Sequence, residues 1–151
     1  GRFFFLMRQT SAHLDFDLEL AKKAAPENPV YYVQYAHARI CSIIRKAAEE
    51  NQIRPRHDDL RLLIQEEELE LVRKLSHFGD VIITCARQTD PFSMVRYLQE
   101  LAATFHKFYD RHRVIDENNS LAQERLALID ATRIVIANGL TLLGINAPER
   151  M

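Results

Sequence analysis

Between Pro29 and Pro55 the apolar residues Val33, Ala36, Ile40, Ile43 and Ala47 step by three, four, three and four. That rhythm keeps one stripe on a helix with 3.6 residues per turn, and it is incompatible with a half-buried strand, whose period is two. Asn28 is placed to cap this helix, and Pro29 suits its first position, where a missing N–H costs nothing. The helix is predicted to run from Val30 to about Asn51, where Arg54-Pro55-Arg56 stops it.

The same logic divides the rest of the chain. Leu14, Leu18 and Ala21 mark a shorter helix over residues 11–24, ended by Pro26 to Pro29. A third segment begins near Asp58. In it Glu66, Glu67 and Glu68 complement a helix N-terminus, and Leu69, Val72, Leu75, Ile82 and Ala86 share a face if the helix continues through Gly79. Asp90-Pro91 opens a fourth helix carrying Val95, Leu98, Ala102, Phe105 and Tyr109 to about Val114. Ser120 to Gln123 fits a capping box for the last helix, and Asn138-Gly139 reads as its left-handed end. With only four Gly and five Pro in 151 residues, and no sustained alternation, the expected class is all-α: an antiparallel helical bundle. The apolar stripes are its core.

Several functional classes drop out. Cys41 and Cys85 stand alone, without zinc-ligand spacing or a disulfide framework, and predict a reducing, cytoplasmic setting. No apolar run approaches membrane-spanning length, and Phe3 to Met7 is too short for a signal peptide. Twenty basic against 21 acidic side chains leave a net charge of −1, so any nucleic-acid site must be local. There is no glycine-rich phosphate loop, GxSxG or HExxH. Asp15, Asp17 and the acidic residues near position 67 read as solvated faces, and His106 with Asp110 lacks a third ligand for a metal.

Two places remain informative. At about 100° per residue, Tyr32, Tyr35 and Arg39 fall within roughly 60° on a strip bordering the apolar stripe. Phenol rings offer stacking platforms and a guanidinium can bond a base edge or a phosphate, which suits unstacked single-stranded bases. Near the end of the fourth helix, Lys107, Arg111 and Arg113 outnumber Asp110 and place Tyr109 in a locally positive field, beside His106 and His112.

The stretch Glu27 to Ile40, with its Asn-Pro-Val-Tyr-Tyr-Val-Gln-Tyr-Ala-His-Ala-Arg core, resembles the first long helix of the anticodon-binding domain of bacterial arginyl-tRNA synthetases. Arg125-Leu-Ala-Leu-Ile-Asp130-Ala-Thr-Arg133 is similar to the motif that names the DALR domain of class I synthetases, with Thr132 where the name has leucine. Residues 2–17 resemble the segment by which that family leaves its catalytic domain, and Asn138 to Met151 its C-terminus.

The resemblance implies a division into residues 1–26, leading from a catalytic domain, and 27–151, an anticodon-binding domain. It implies anticodon contacts at Tyr32, Tyr35, Arg39, Tyr109 and Met151. Tyrosines would stack on bases, Arg39 would meet a base or phosphate, and Met151 would add apolar surface. Gln34 and His37 are expected to be structural hydrogen bonders. The HIGH and KMSKS motifs are absent, so arginine activation with ATP and Mg belongs to the parent enzyme, and no cofactor is expected here. Implied partners are an arginine-accepting tRNA and the catalytic domain, in a cytoplasmic monomer. The competing possibility is a helical protein-interaction module docking through Phe3-Phe4-Phe5.

Overall fold

The computed structural model describes residues 29–151, so the helix expected over 11–24, the Asn28 cap, the aromatic cluster at residues 3–5 and the 1–26 segment lie outside the described residues. Five helices follow: α1 Pro29–Glu50, α2 Glu66–Ser76, α3 Phe78–Gln88, α4 Phe92–Arg111 and α5 Asn119–Leu142. Among the described residues there is no strand, as the helical periodicities require.

Helix α4 is the hub, since it packs against each of the other four. Val95, Leu98, Leu101, Ala102, Phe105 and Phe108 are completely buried along it. Contacts between chain-distant residues set the directions. Lys74 near the end of α2 pairs with Glu100, and Glu67 at its start pairs with Arg111, so α2 and α4 are antiparallel. Gln34 in the first turns of α1 donates to the Asn146 carbonyl beyond α5, while the Arg56 amide beyond α1 donates to Gln123 near the start of α5. These helices are antiparallel too. By contrast, α1 and α4 proceed in the same sense, with Tyr32 against His106 and Arg39 against Tyr109.

The third segment forms its helix with Glu66, Glu67 and Glu68 in the first turn, as expected, but that helix does not continue unbroken through Gly79: residues 58–65 are irregular, and the helix breaks at His77 into α2 and α3. Ser76 Oγ donates to the Arg73 carbonyl at 2.6 Å, and His77 N turns to Lys74 O, so the last turn of α2 tightens and closes. The break redirects the apolar face: Leu75, Phe78, Val81 and Cys85 pack on the core, with Phe78 against Tyr97 at 5.9 Å. The face expected to be buried is largely exposed, with Leu69 at 40%, Val72 at 39% and Ile82 at 38%.

What α2 buries at its start is acidic, so the expectation of solvated carboxylates fails at Glu67 and Glu68. Glu68, fully buried, accepts from Arg125 Nε at 2.6 Å and from the Gln65 amide at 2.9 Å. Arg125 in turn donates to the Arg113 carbonyl at 2.8 Å. Glu67 takes Arg111 and His112, the latter at 2.9 Å. Both carboxylates thus exchange water for charged hydrogen-bond donors, which is the condition under which a buried charge is tolerated.

Three helix ends also differ from expectation. Asn118, not Ser120, caps α5, its side chain accepting from the Ser120 and Leu121 amides. Gly139 does not end that helix, which continues to Leu142; the left-handed glycine is Gly144, at φ 72°. Gly139 is there for space, because a Cβ on it would lie 2.6 Å from Leu98 Cδ2. Helix α4 stops at Arg111 rather than Val114, since His112 is already extended and Val114 is buried from the following loop. The motif around Asp130 makes a surface clasp: Arg133 donates to Asp130 at 2.9 Å, and His57 lies 3.4 Å from its other oxygen.

Three outcomes follow from this packing. Arg125→Met leaves Glu68 buried and unpaired, and should destabilise the domain by about 3–5 kcal/mol in urea unfolding, whereas Glu68→Leu/Arg125→Met should recover most of that loss. Gly139→Ala sets an overpacking cost of about 1–3 kcal/mol against roughly 1 kcal/mol gained in helix propensity, so a net loss on the order of 1 kcal/mol is expected in the same assay. His112, then Arg111, hold the Glu67 carboxyl down from 4.5 to about 2. Because the folded value is the lower one, this stabilisation is complete above about pH 4.5 and disappears as pH falls toward 2. Glu67→Gln should therefore flatten the dependence of Tm on pH across that interval.

Candidate nucleic-acid interface

Helix α1 turns one flank inward through Val33, Ala36, Ile40 and Ala47, all fully buried, and this orientation brings the adjoining strip to the end of α4. Tyr32 is half-buried against the core, Tyr35 is 36% exposed and Arg39 is half-buried between them and solvent. On α4, burial of Phe105 and Phe108 fixes the roll of the helix, which leaves Tyr109 half-buried and facing α1. The Arg39 guanidinium lies 4.4 Å from the Tyr109 ring centre and 5.7 Å from that of Tyr35. Four of the five residues expected to act together are therefore brought together.

The fifth is not joined to them. The chain after α5 folds back along a different flank of α1, where Gln34 Nε2 donates to the Asn146 carbonyl at 2.9 Å and His37 Nδ1 donates to that of Pro148 at 2.9 Å. Gln34 and His37 are the structural hydrogen bonders the sequence suggests. Met151 is 55% exposed three residues past Pro148, and among the described residues no hydrogen bond, ion pair or ring contact ties it to Tyr32, Tyr35, Arg39 or Tyr109.

Two aromatic residues outside the expected set complete the cluster. Tyr31 stacks on Tyr35 at 5.9 Å and 18°, and His106 stands 5.4 Å from Tyr32 and 6.2 Å from Tyr35. Both were within reach of helix geometry: Tyr31 is four positions before Tyr35, and His106 three before Tyr109, so each shares a face with an expected residue. Tyr31, Tyr32, Tyr35 and His106 line a cavity of about 400 Å³. A second cavity, about 510 Å³, opens at the end of α4 beside Tyr109, with Lys46, Asn51, Asp110 and Arg113 in its wall.

The positive field expected at the end of α4 is mostly cancelled. Lys107 pairs with Glu70 at 2.8 Å, and Arg111 and His112 are both spent on Glu67. Among the described residues, the Arg39 and Arg113 guanidinium groups have no ion-pair partner, so the site's cationic character rests on them rather than on the cluster. Burial lowers the proton affinity of His106; Arg39 adds to this and Asp110 opposes it. Burial raises the Tyr32 phenol, with a smaller contribution from Asp110, so Tyr32 stays a neutral donor.

Ring faces at the surface, an unpaired guanidinium laid on them and neutral polar tips are what unstacked bases require. No group of three His, Cys, Asp or Glu side chains among the described residues could hold a metal ion, and none of the described helices is long and apolar enough to cross a membrane.

The fold and sequence both have relatives. The chain is 53% identical over 150 residues to the arginine–tRNA ligase of Dehalococcoides mccartyi, covering 99% of this chain and 27% of the relative. It is 51% identical to that of Symbiobacterium thermophilum, covering 100% and 27%. Thermus thermophilus arginyl-tRNA synthetase superposes with a TM-score of 0.84 at 30% identity, over 99% of this chain and 26% of that one. The chain thus spans about a quarter of the length of these relatives. A profile of the DALR anticodon binding domain matches residues 33–151, which takes in α1 from Val33 onward, the other four helices and every residue of the cluster but Tyr31 and Tyr32. By that match, supported along its whole length by the packing described above, this chain belongs to the DALR anticodon binding domain family.

Proposed function

We propose that this chain binds the anticodon loop of an arginine-accepting tRNA, as one part of a larger protein that attaches arginine to that tRNA with ATP and Mg. The single observation that carries this reading is the Arg39–Tyr109 contact at 4.4 Å, standing between the tyrosines of α1 and the end of α4. Here a guanidinium is oriented by a ring, and among the described residues no carboxylate neutralises it. A base can stack on the tyrosines or on the guanidinium plane, while the guanidinium edge meets a base edge or a phosphate. Tyr32 and Tyr35 supply stacking surface in this scheme, and Met151 adds an apolar contact at the end of the tail.

The activation of arginine is assigned to the rest of the protein, together with its ATP and Mg. In the same reading this chain needs no cofactor, adjoins a catalytic domain through residues 1–26 and works in a cytoplasmic monomer. Nothing in the arrangement favours a protein-interaction module, whose proposed aromatic anchor lies outside the described residues.

Binding to a stem-loop RNA carrying an arginine anticodon, followed by fluorescence anisotropy, tests the proposal. Affinity should exceed that for the same stem with unrelated loop bases and should fall as salt rises, with a shallow slope because few cations at the site are unpaired. Arg39→Ala should weaken binding by about 1–3 kcal/mol if Arg39 meets a base. Equal binding of both hairpins by the native chain would overturn the assignment.

A further inference from the structure

We propose that His106 gives the base held among Tyr31, Tyr32 and Tyr35 its directional hydrogen bond, and so sets which base that slot prefers. This rests on the anticodon-binding reading above and adds a specificity-determining residue to it. The other described residues of its lining are phenol rings, and ring stacking tolerates every base because every base has a π-face. Discrimination needs a polar group of fixed direction, and His106 fits that role better than the tyrosine tips around it.

Three ring contacts hold the imidazole: Phe105 at 5.2 Å, Tyr32 at 5.4 Å and Tyr35 at 6.2 Å. Phe105 is fully buried, so the ring is braced from the core side. Among the described residues neither imidazole nitrogen has a hydrogen-bond or ion-pair partner, although nearly every other histidine of the bundle has one: His37 on Pro148, His57 on Asp130, His112 on Glu67. Among the described residues no fully buried side-chain nitrogen or oxygen lacks a partner, so the His106 nitrogens are open to the cavity or to solvent rather than sealed. Burial, reinforced by Arg39 and opposed by Asp110, favours the neutral ring. A neutral imidazole offers one donor and one acceptor, the complement a base edge presents.

The phenols are less suited. Tyr35 is 36% exposed, and a hydroxyl hydrogen rotates to suit any partner. Their contribution is area, and that of His106 is direction.

The test measures binding of the full 151-residue chain to the arginine-anticodon stem-loop and to a set in which each loop base is replaced in turn. His106→Phe keeps a ring of similar shape and removes both nitrogens; His106→Gln restores a donor and an acceptor. Expected for His106→Phe is a loss of roughly 3- to 10-fold in preference at one loop position, with the other positions unaffected and near-native helicity and Tm. His106→Gln should regain part of that preference, and Tyr35→Ala should weaken all hairpins alike. If His106→Phe keeps full preference at every position, or loses affinity for all hairpins equally, the assignment is overturned while anticodon binding stands. If the native chain shows no preference among the hairpins, the anticodon reading fails and this proposal with it. Should His106→Phe not fold, His106→Gln against His106→Ala gives the same comparison: preference higher in Gln supports the role, and equal preference ends it.

Discussion

Two neighbouring carboxylates at the first turn of α2 reach different helices, Glu68 to Arg125 on α5 and Glu67 to Arg111 and His112 at the end of α4. Removing adjacent charges from water is costly, and the cost is offset only if each finds well-placed donors. Satisfying both at once requires α2, α4 and α5 to meet at a single corner of the bundle. That corner is where α4 ends and where His106 and Tyr109 face α1. The aromatic site is therefore positioned by ion pairs lying behind it, as well as by burial of Phe105 and Phe108.

The ion pairs of α2 also shape the electrostatics of the surface in front of them. A run of basic residues at the end of a helix suggests a broad positive patch, but Lys107 and Arg111 are paired with carboxylates of α2, and His112 is hydrogen-bonded to Glu67. What remains beside the rings is a small number of unpaired guanidinium groups, with Arg39 held on Tyr109. With a net charge of −1 the protein has no long-range attraction for RNA to draw on. Recognition at such a surface depends on ring faces and on a few oriented polar groups, a balance that favours selectivity over indiscriminate binding to nucleic acid.

Legibility differed from element to element for identifiable reasons. The span of α1 could be read to within a residue or two because a strict three-and-four apolar rhythm lies between prolines, and both signals are local. The strip of Tyr32, Tyr35 and Arg39 followed from the same periodicity. Helices α2 and α3 could not be read this way. Their break at His77 comes from a serine hydroxyl turned onto Arg73, and their buried faces are set by partners on α4 and α5 that are distant in sequence. Gly139 carried the local mark of a helix end, yet it serves close approach to Leu98, some forty positions earlier. The strip, Tyr109 and, by its four-residue spacing from Tyr35, Tyr31 were legible one helix at a time, whereas the contacts of His106 with the α1 tyrosines exist only once α1 and α4 meet.

The chain's own pattern of residues determined that it would be helical, where α1 lies, and which flank of that helix carries its phenols and guanidinium, because spacing at 3.6 residues per turn needs no knowledge of neighbours. Tertiary structure decided which charges are free, which glycine is a spacer and which rings share a cavity. Those properties depend on what stands opposite each side chain, and a carboxylate on α2 can cancel a cation on α4 only once the two helices are packed together.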